Sequence, residues 1–176
     1  DLATLYAMPE FDILGIVIDR GEGGKDRPGV VPIQQMNAIT GRKVPCAPGM
    51  IQDVPWHGYV PDEELAGVKL LINALRESDR PVTLFITGSL RDVAEAYGRE
   101  PELFQKKVGR FYINAGHSSG KEEWNVQLEP GSYFRMLRSH LPIYWMPCFG
   151  DGGYQTYWKF RQSDVLESAP LAVQNF

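Results

Sequence analysis

The feature that most constrains the fold is a strand, helix and strand pattern in the middle of the chain. Two short runs, Val82–Ile86 and Phe111–Ala115, are rich in β-branched and aromatic residues, and each leads to a glycine. These properties predict buried strands. Between them, Ser89–Tyr97 carries its apolar residues at the helical period. Because connections of this kind are right-handed and join parallel strands, the pattern predicts a parallel α/β sheet.

Ligands of parallel α/β sheets bind beyond the carboxyl ends of the strands. Two segments directly follow the predicted strands, namely Thr87–Gly88 and Gly116–Asn125. We therefore expect the binding site to contain both segments.

Apolar patterns on either side of this unit extend the same architecture. Additional strands are predicted at Phe11–Ile18, Val44–Ala47 and Leu141–Cys148, and additional helices before Pro9, at Val30–Ile39, Asp62–Glu77 and Pro101–Val108, and near Tyr133–Leu137. We predict one α/β domain over residues 1–176, with a three-layer, mainly parallel open sheet of the Rossmann-like kind. The strands near Phe11, Val82, Phe111 and Leu141 are expected in that one sheet.

The ends and the charge of the chain limit what kind of protein it is. It begins at Asp1 without an initiator Met and ends at Phe176 inside an apolar pattern, so we expect a fragment of a longer protein. A formal charge of −4 and the absence of a basic run argue against nucleic acid as a partner. No apolar stretch approaches the ~20 residues needed to span a bilayer. A small-molecule ligand is expected, while self-association and compartment are left open.

One motif suggests a serine hydrolase. Gly116–Gly120 reads G-x-S-x-G and follows a predicted strand, as a nucleophile elbow does. An elbow also needs a helix directly after the serine and a later acid followed by a histidine. The last histidine, His140, precedes Asp151 and Asp164, so we do not favour this interpretation.

Two polar residues near the predicted site could bind a sugar. If the segment after the central strand is extended, Glu123 and Asn125 point the same way and can hydrogen-bond to sugar hydroxyls, while Trp124 turns into the core. From spacing alone, a solvent-exposed loop is the simpler interpretation of these residues.

Four segments match, in order and at similar spacing, the motifs of a known enzyme family. Pro9–Val17, Thr40–Gly49, Val82–Ala94 and Glu123–Pro130 resemble motifs of the nucleoside hydrolases, the inosine-uridine-preferring N-ribohydrolases. The resemblance implies an α/β fold of that family and hydrolysis of the N-glycosidic bond of a ribonucleoside or a related ribosyl compound.

The same resemblance implies roles for three residues and a cofactor. A calcium ion, held by an aspartate-rich loop and a backbone carbonyl, orients the ribose and the attacking water in that family. Thr87 would supply the carbonyl ligand to calcium, and Glu123 and Asn125 would bind ribose hydroxyls. The aspartates are expected upstream of Asp1, so no catalytic residue is assigned within the chain and the fragment alone is expected to be inactive.

The chain also departs from the family motifs. Arg91-Asp92 stands where the family has Thr-Asn, and Asp19–Glu22 lacks the Gly-Asn pair that usually follows the first strand. These differences indicate a divergent subfamily. The alternative function is a non-catalytic sugar- or nucleoside-binding domain with the same fold.

Overall fold

The computed structural model describes residues 2–20, 29–51, 60–157 and 159–175. The helices are α1 Leu2–Ala7, α2 Val30–Thr40, α3 Ala66–Glu77, α4 Arg91–Arg99, α5 Pro101–Lys107, α6 Trp124–Leu128, α7 Pro130–Leu137, α8 Gln162–Leu166 and α9 Leu171–Gln174. The strands are β1 Ile16–Ile18, β2 Cys46–Pro48, β3 Val82–Ile86, β4 Val108–Ile113 and β5 Ile143–Trp145. Short 3₁₀ helices lie at Asp62–Leu65 and Asp151–Gly153.

The described strands form two sheets in which every pairing is parallel. One sheet has the order β3-β4-β5, and the other contains β1 and β2. The predicted α/β class and the parallel pairing of the Val82 and Phe111 strands are confirmed. The central crossover also forms as expected, because α4 connects to β4 through the short α5.

The prediction of one sheet containing the Phe11 strand is wrong. Only Ile16–Ile18 of that run is a strand, and it pairs with β2 in the separate sheet. Pro45, the residue before β2, limits the pairing, since its carbonyl accepts the Ile16 N–H but it has no N–H of its own to continue the ladder. Phe11 instead packs its ring edge-on against the ring of Phe85 on β3, with centroids 6.0 Å apart.

The described core surrounds the three-stranded sheet and the helices packed on it. Its largest fully buried side chains include Phe104, Phe111, Leu65, Leu75 and Leu90. Helix α3 carries its apolar residues on one face and packs against α4 and α5, and it also contacts β1 and β2. Helix α3 therefore connects the two sheets. Within the described ranges, no helix has the length and apolar character required to cross a bilayer.

Candidate functional site at the carboxyl ends of the strands

The carboxyl ends of the strands bring several loops to one edge of the molecule. The Ile86 carbonyl at the end of β3 accepts the Asn114 N–H at 2.9 Å, and the Asn114 side chain donates to the Met146 carbonyl at 2.9 Å. Thr87 therefore lies beside the loop that leaves β4. The segments Thr87–Gly88 and Gly116–Asn125 follow these neighbouring parallel strands at the same edge, as predicted.

The first two residues of α4, Arg91 and Asp92, hydrogen-bond to the peptide groups on either side of Met50. Both carboxylate oxygens of Asp92 accept the Met50 N–H, at 3.0 and 3.3 Å, and Arg91 Nη1 donates to the Met50 carbonyl at 2.8 Å. Arg91 and Asp92 are buried. The pair fixes the loop after β2 to the N-terminus of α4, which places charged groups inside the site.

Burial changes the ionisation of Asp92. The pKa of its carboxyl is raised from 3.8 to about 6, chiefly by desolvation and to a smaller extent by the nearby Asp19 carboxylate. The Met50 hydrogen bond and the Arg91 charge act in the opposite direction and are outweighed. Gly49 and Gly67 make room for this carboxyl, since a Cβ on either would crowd its oxygens.

A second carboxylate joins the loops after β1 and β3. Asp19 accepts the Ser89 N–H at 2.6 Å and the Ser89 hydroxyl at 2.9 Å. Arg91 Nη1 lies 4.0 Å from an Asp19 oxygen. The other two nitrogens of this guanidinium, Nε and Nη2, are buried without a hydrogen-bond partner in the described structure. The Asp19 carboxylate and the Arg91 guanidinium thus meet at the carboxyl edge.

Glu123 caps a helix, which the sequence did not predict. Its carboxylate accepts the N–H groups of Asn125 at 3.1 Å and Val126 at 3.2 Å, and it also accepts the Gly116 N–H at 2.8 Å. The predicted extended segment is therefore wrong, because a carboxylate in this position satisfies the free N–H groups of a helix start and α6 begins at Trp124. Glu123 also ties that helix to the loop after β4.

Because α6 begins at Trp124, the side chains of Glu123, Trp124 and Asn125 do not point in the directions expected for an extended segment. Glu123 and Asn125 are two residues apart, so on a helix start they do not share one face. Trp124 is 58% exposed, so the expectation that it turns into the core is wrong. Leu128 is the residue of α6 that is buried. The half-buried Asn125 side chain makes no hydrogen bond with another residue in the described ranges.

The loop between β4 and α6 is a turn and not a nucleophile elbow. Gly116 has φ 84°, and a Cβ there would collide with the hydroxyl of Tyr133. Ser118 is followed by further turn residues and is exposed. His117 Nδ1 accepts the Ser119 N–H at 3.2 Å, and the Ser119 hydroxyl lies 2.9 Å from the same nitrogen. These contacts stabilise the turn. A turn after Ser118, where a nucleophile elbow needs a helix, argues against a serine hydrolase.

The described residues do not by themselves fit a calcium site. Calcium takes six to eight oxygen ligands, several of them carboxylates. Thr87 is exposed at the carboxyl edge, which leaves its carbonyl as one oxygen near the site. No group of three or more His, Cys, Asp or Glu side chains suited to a metal occurs in the described part of the chain.

Sequence reasoning missed the group formed by Asp19, Arg91 and Asp92. The one signal was the departure of Arg91-Asp92 from the family motif, because replacing two neutral polar residues by two charged ones implies partners elsewhere. Those partners, Met50 and Asp19, lie more than forty residues away in sequence. No local pattern identifies contacts over such a separation.

Comparison with known proteins points to one family. No protein-family model matches the chain. The pyrimidine-specific ribonucleoside hydrolase RihA of Enterobacter sp. is 38% identical over 82 residues, which is 43% of this chain and 26% of that protein. RihA of Salmonella arizonae is 23% identical over 168 residues, covering 81% of this chain and 53% of that protein. The chain thus spans about half the length of this curated relative.

Solved structures show the same fold. The inosine-uridine preferring nucleoside hydrolase from Bacillus anthracis matches with a TM-score of 0.65 and 17% identity, over 83% of this chain and 59% of that chain. The purine-preferring ribonucleoside hydrolase from Gardnerella vaginalis matches with a TM-score of 0.63 and 20% identity, over 83% and 56%. Together with the sequence matches and the parallel α/β topology, these findings show that the chain shares the fold of the nucleoside hydrolases and is similar to them in sequence.

Proposed function

We propose that the complete protein hydrolyses the N-glycosidic bond of a ribonucleoside. The observation that carries this proposal is the sequence relationship to RihA, which extends over 81% of the chain. The polar edge at the carboxyl ends of the strands supports it, because this is where parallel α/β sheets bind their ligands.

Glu123 and Asn125 are the proposed contacts to the ribose hydroxyls. An ionised carboxylate offers about four acceptor positions. Glu123 uses three of them for backbone N–H groups, so one remains for a sugar hydroxyl. The Asn125 amide can both donate and accept, and it lies in the first turn of α6, which Glu123 holds against the β4 loop. We therefore assign Asn125 the main contact and Glu123 a positioning role with one contact of its own.

Negative charge at this edge suits the proposed reaction. Breaking the bond between the base and the ribose builds positive charge on the sugar, and carboxylates nearby stabilise that charge. Asp19 contributes such a carboxylate, held by Ser89 in a defined orientation. Its charge is partly balanced by Arg91.

Calcium belongs to the proposal for the complete protein only. When bound, a calcium ion would hold the sugar hydroxyls and water as oxygen ligands. Thr87 would contribute its carbonyl, and the remaining ligands must come from outside the described residues. We assign no step of the reaction to the ion on the basis of the described residues.

The test is release of free ribose by the full-length polypeptide. A panel of uridine, cytidine, inosine, adenosine and guanosine would be incubated with the protein, and reducing sugar would be measured with calcium added or chelated. We expect release from at least one of these nucleosides. The control is the Asn125→Ala variant, in which release should fall while the far-ultraviolet spectrum is unchanged.

The alternative is a nucleoside-binding domain without catalysis, and the same experiment separates the two functions. Two observations favour this alternative: Glu123 is occupied by backbone hydrogen bonds, and the described residues include no group of three or more His, Cys, Asp or Glu that could hold a metal ion. Calorimetric binding of a nucleoside without any ribose release would establish it. Absence of both binding and release over the whole panel would contradict the proposal and the alternative.

A further inference from the structure

Arg91 has more hydrogen-bond donors than the fold uses. Its Nη1 donates to the Met50 carbonyl at 2.8 Å, and this bond anchors the loop after β2. Nε and Nη2 of the same side chain are shielded from solvent and have no hydrogen-bond partner among the residues that the structure describes. A buried N–H group without an acceptor destabilises a protein, so anchoring the loop does not account for these two nitrogens.

The two nitrogens form one edge of the guanidinium. The group is planar, and Nε and Nη2 direct their N–H bonds from the same side of it. This edge can bind two neighbouring acceptor atoms of one ligand while Nη1 continues to hold Met50. A ligand that matches Arg91 therefore carries two acceptors side by side in one plane.

The charges around Arg91 disfavour an anionic ligand. Asp19 Oδ1 lies 4.0 Å from Nη1, and the Asp92 carboxylate bonds to the same Met50 residue. Because its pKa is about 6, Asp92 is mostly ionised at pH 7. A phosphate or carboxylate would add a third negative charge beside one positive charge, in a buried place where such repulsion is strong. Neutral acceptors, such as carbonyl oxygens and ring nitrogens, meet no such repulsion.

Arg91 lies where a ligand at the carboxyl edge would meet it. The residue begins α4 directly after the loop that contains Thr87, and its contacts Met50 and Asp19 follow β2 and β1. Asn125 follows β4, on the other side of β3. A ribonucleoside that extends across the end of β3 can therefore place its sugar at Asn125 and its base at Arg91.

Asp19 marks the path to the buried nitrogens. Its side chain is 28% exposed and lies beside the guanidinium, so Arg91 is one side chain away from the accessible surface. Two hydrogen bonds to Ser89 hold Asp19 in this position. A shift of this one side chain would let a ligand reach Nε and Nη2.

We propose that Arg91 determines base specificity by binding a nucleobase that presents two adjacent hydrogen-bond acceptors. Cytosine has such a pair in O2 and N3, and hypoxanthine and guanine have one in O6 and N7. Uracil and adenine lack the pair, because the N3–H of uracil and the amino group of adenine place a donor beside the acceptor. The inference rests on the proposed function, since it specifies the substrate of the same site.

Arg91→Lys is the test variant, because an ammonium keeps the charge and can keep the bond to Met50 but cannot form the paired contact. Ribose release by the full-length polypeptide would be measured with cytidine, uridine, inosine and adenosine. The kcat/KM ratios of cytidine to uridine and of inosine to adenosine should fall about 10- to 100-fold. Arg99→Lys, an exposed change on the same helix, should leave both ratios unchanged.

Ratios within one variant do not depend on how much of the protein is folded, so a destabilised variant still decides the matter. Loss of only the cytidine preference would assign the edge to cytosine, and loss of only the inosine preference would assign it to the 6-oxopurines. Unchanged ratios in Arg91→Lys would overturn the role of Arg91 and leave the proposed hydrolysis standing.

Calorimetry separates this inference from the proposed function if no nucleoside is hydrolysed. The wild-type protein should then bind cytidine or inosine about 10- to 100-fold more tightly than uridine and adenosine, and Arg91→Lys should remove that preference. Equal affinity for all four nucleosides, or no binding of any of them, would overturn the assignment of Arg91.

Discussion

Asp92 accepts the Met50 N–H with both oxygens of a carboxylate that is buried at the start of α4. The bond connects the loop after β2 with the helix after β3, so it joins parts of the chain that belong to different sheets. A buried carboxylate with one backbone donor and one neighbouring guanidinium is only partly compensated for the loss of water.

The stability of the chain should fall as the pH rises from about 4 to about 6, because of Asp92. Its pKa is raised from 3.8 to about 6 in the folded state, so the folded state binds more protons over this interval. The contribution of the protonated group is fully present below about 4, is lost through about 6, and amounts to about 3 kcal/mol at most. Urea unfolding at pH 4 and 7 should show a smaller decrease in the free energy of unfolding between the two pH values for Asp92→Asn than for the wild type. Equal decreases in both proteins would contradict the assignment of this pH dependence to Asp92.

Removing the carboxylate of Glu123 should weaken the helix start and the β4 loop together. Glu123→Ala leaves three backbone N–H groups without their acceptor, and we expect a loss of about 1–2 kcal/mol in the free energy of unfolding. The neighbouring Glu122 is exposed and bonds only to the Gln127 side chain among the described contacts, which makes Glu122→Ala the matched control. In the control, the free energy of unfolding should decrease by less than about 0.5 kcal/mol. Similar losses for the two variants would argue against the capping role.

Asn125→Ala should reduce catalysis in the full-length protein without unfolding it. A sugar hydroxyl that loses its amide partner costs about 1–3 kcal/mol, measured as a decrease in kcat/KM. Gln127→Ala, an exposed change on the same helix, provides the comparison and should keep wild-type kinetics. Unchanged turnover of Asn125→Ala on every nucleoside tested would remove Asn125 from the site.

Trp124→Ala should be a mild substitution, contrary to what the sequence indicates. The indole is 58% exposed, so its removal leaves no closed cavity and should cost no more than about 1 kcal/mol. Leu128→Ala on the buried side of α6 should cost about 2–4 kcal/mol. Thermal unfolding of the two variants side by side gives the comparison, and a larger loss for Trp124→Ala would place the indole in the interior.

The 1–176 chain should bind calcium weakly or not at all. One backbone carbonyl, that of Thr87, cannot replace the six to eight oxygen ligands of the ion. Titration calorimetry with calcium chloride is the measurement, and magnesium chloride serves as the comparison. A dissociation constant in the micromolar range would show that the residues of this chain complete a site.

Local patterns predicted most of the elements because they are encoded by neighbouring residues. Val82–Ile86 became β3 as predicted, and α2 ends at Thr40 before Gly41, which adopts φ 69°. The patterns failed where distant contacts decide the structure. Phe11–Gly15 has the composition of a strand but no strand beside it in the described fold, and hydrophobic runs contain no information about available partners.

The residues proposed to bind the sugar show the same division between local patterns and distant contacts. The location of the carboxyl edge followed from strand order alone, whereas the direction of individual side chains did not. Glu123 is followed by a residue pattern compatible with either a strand or a short helix, and its hydrogen bond to Gly116 accompanies the helix in the structure. Family resemblance pointed to this segment but gave no information about this bond.

The division into two sheets also determines how the molecule opens. In the described structure, β1 and β3 are linked at the carboxyl edge by the hydrogen bonds between Asp19 and Ser89. The loop after β2 is linked to α4 by the hydrogen bonds of Met50 with Asp92 and Arg91. Side-chain links of this kind break at lower cost than strand ladders, so we expect β1 and β2 to separate from β3 more readily than β3 separates from β4, with the packing of α3 on β1 and β2 as a further connection. Transient opening along this plane would expose the carboxyl edge, so the proposed ligand would enter at a boundary between the two described sheets.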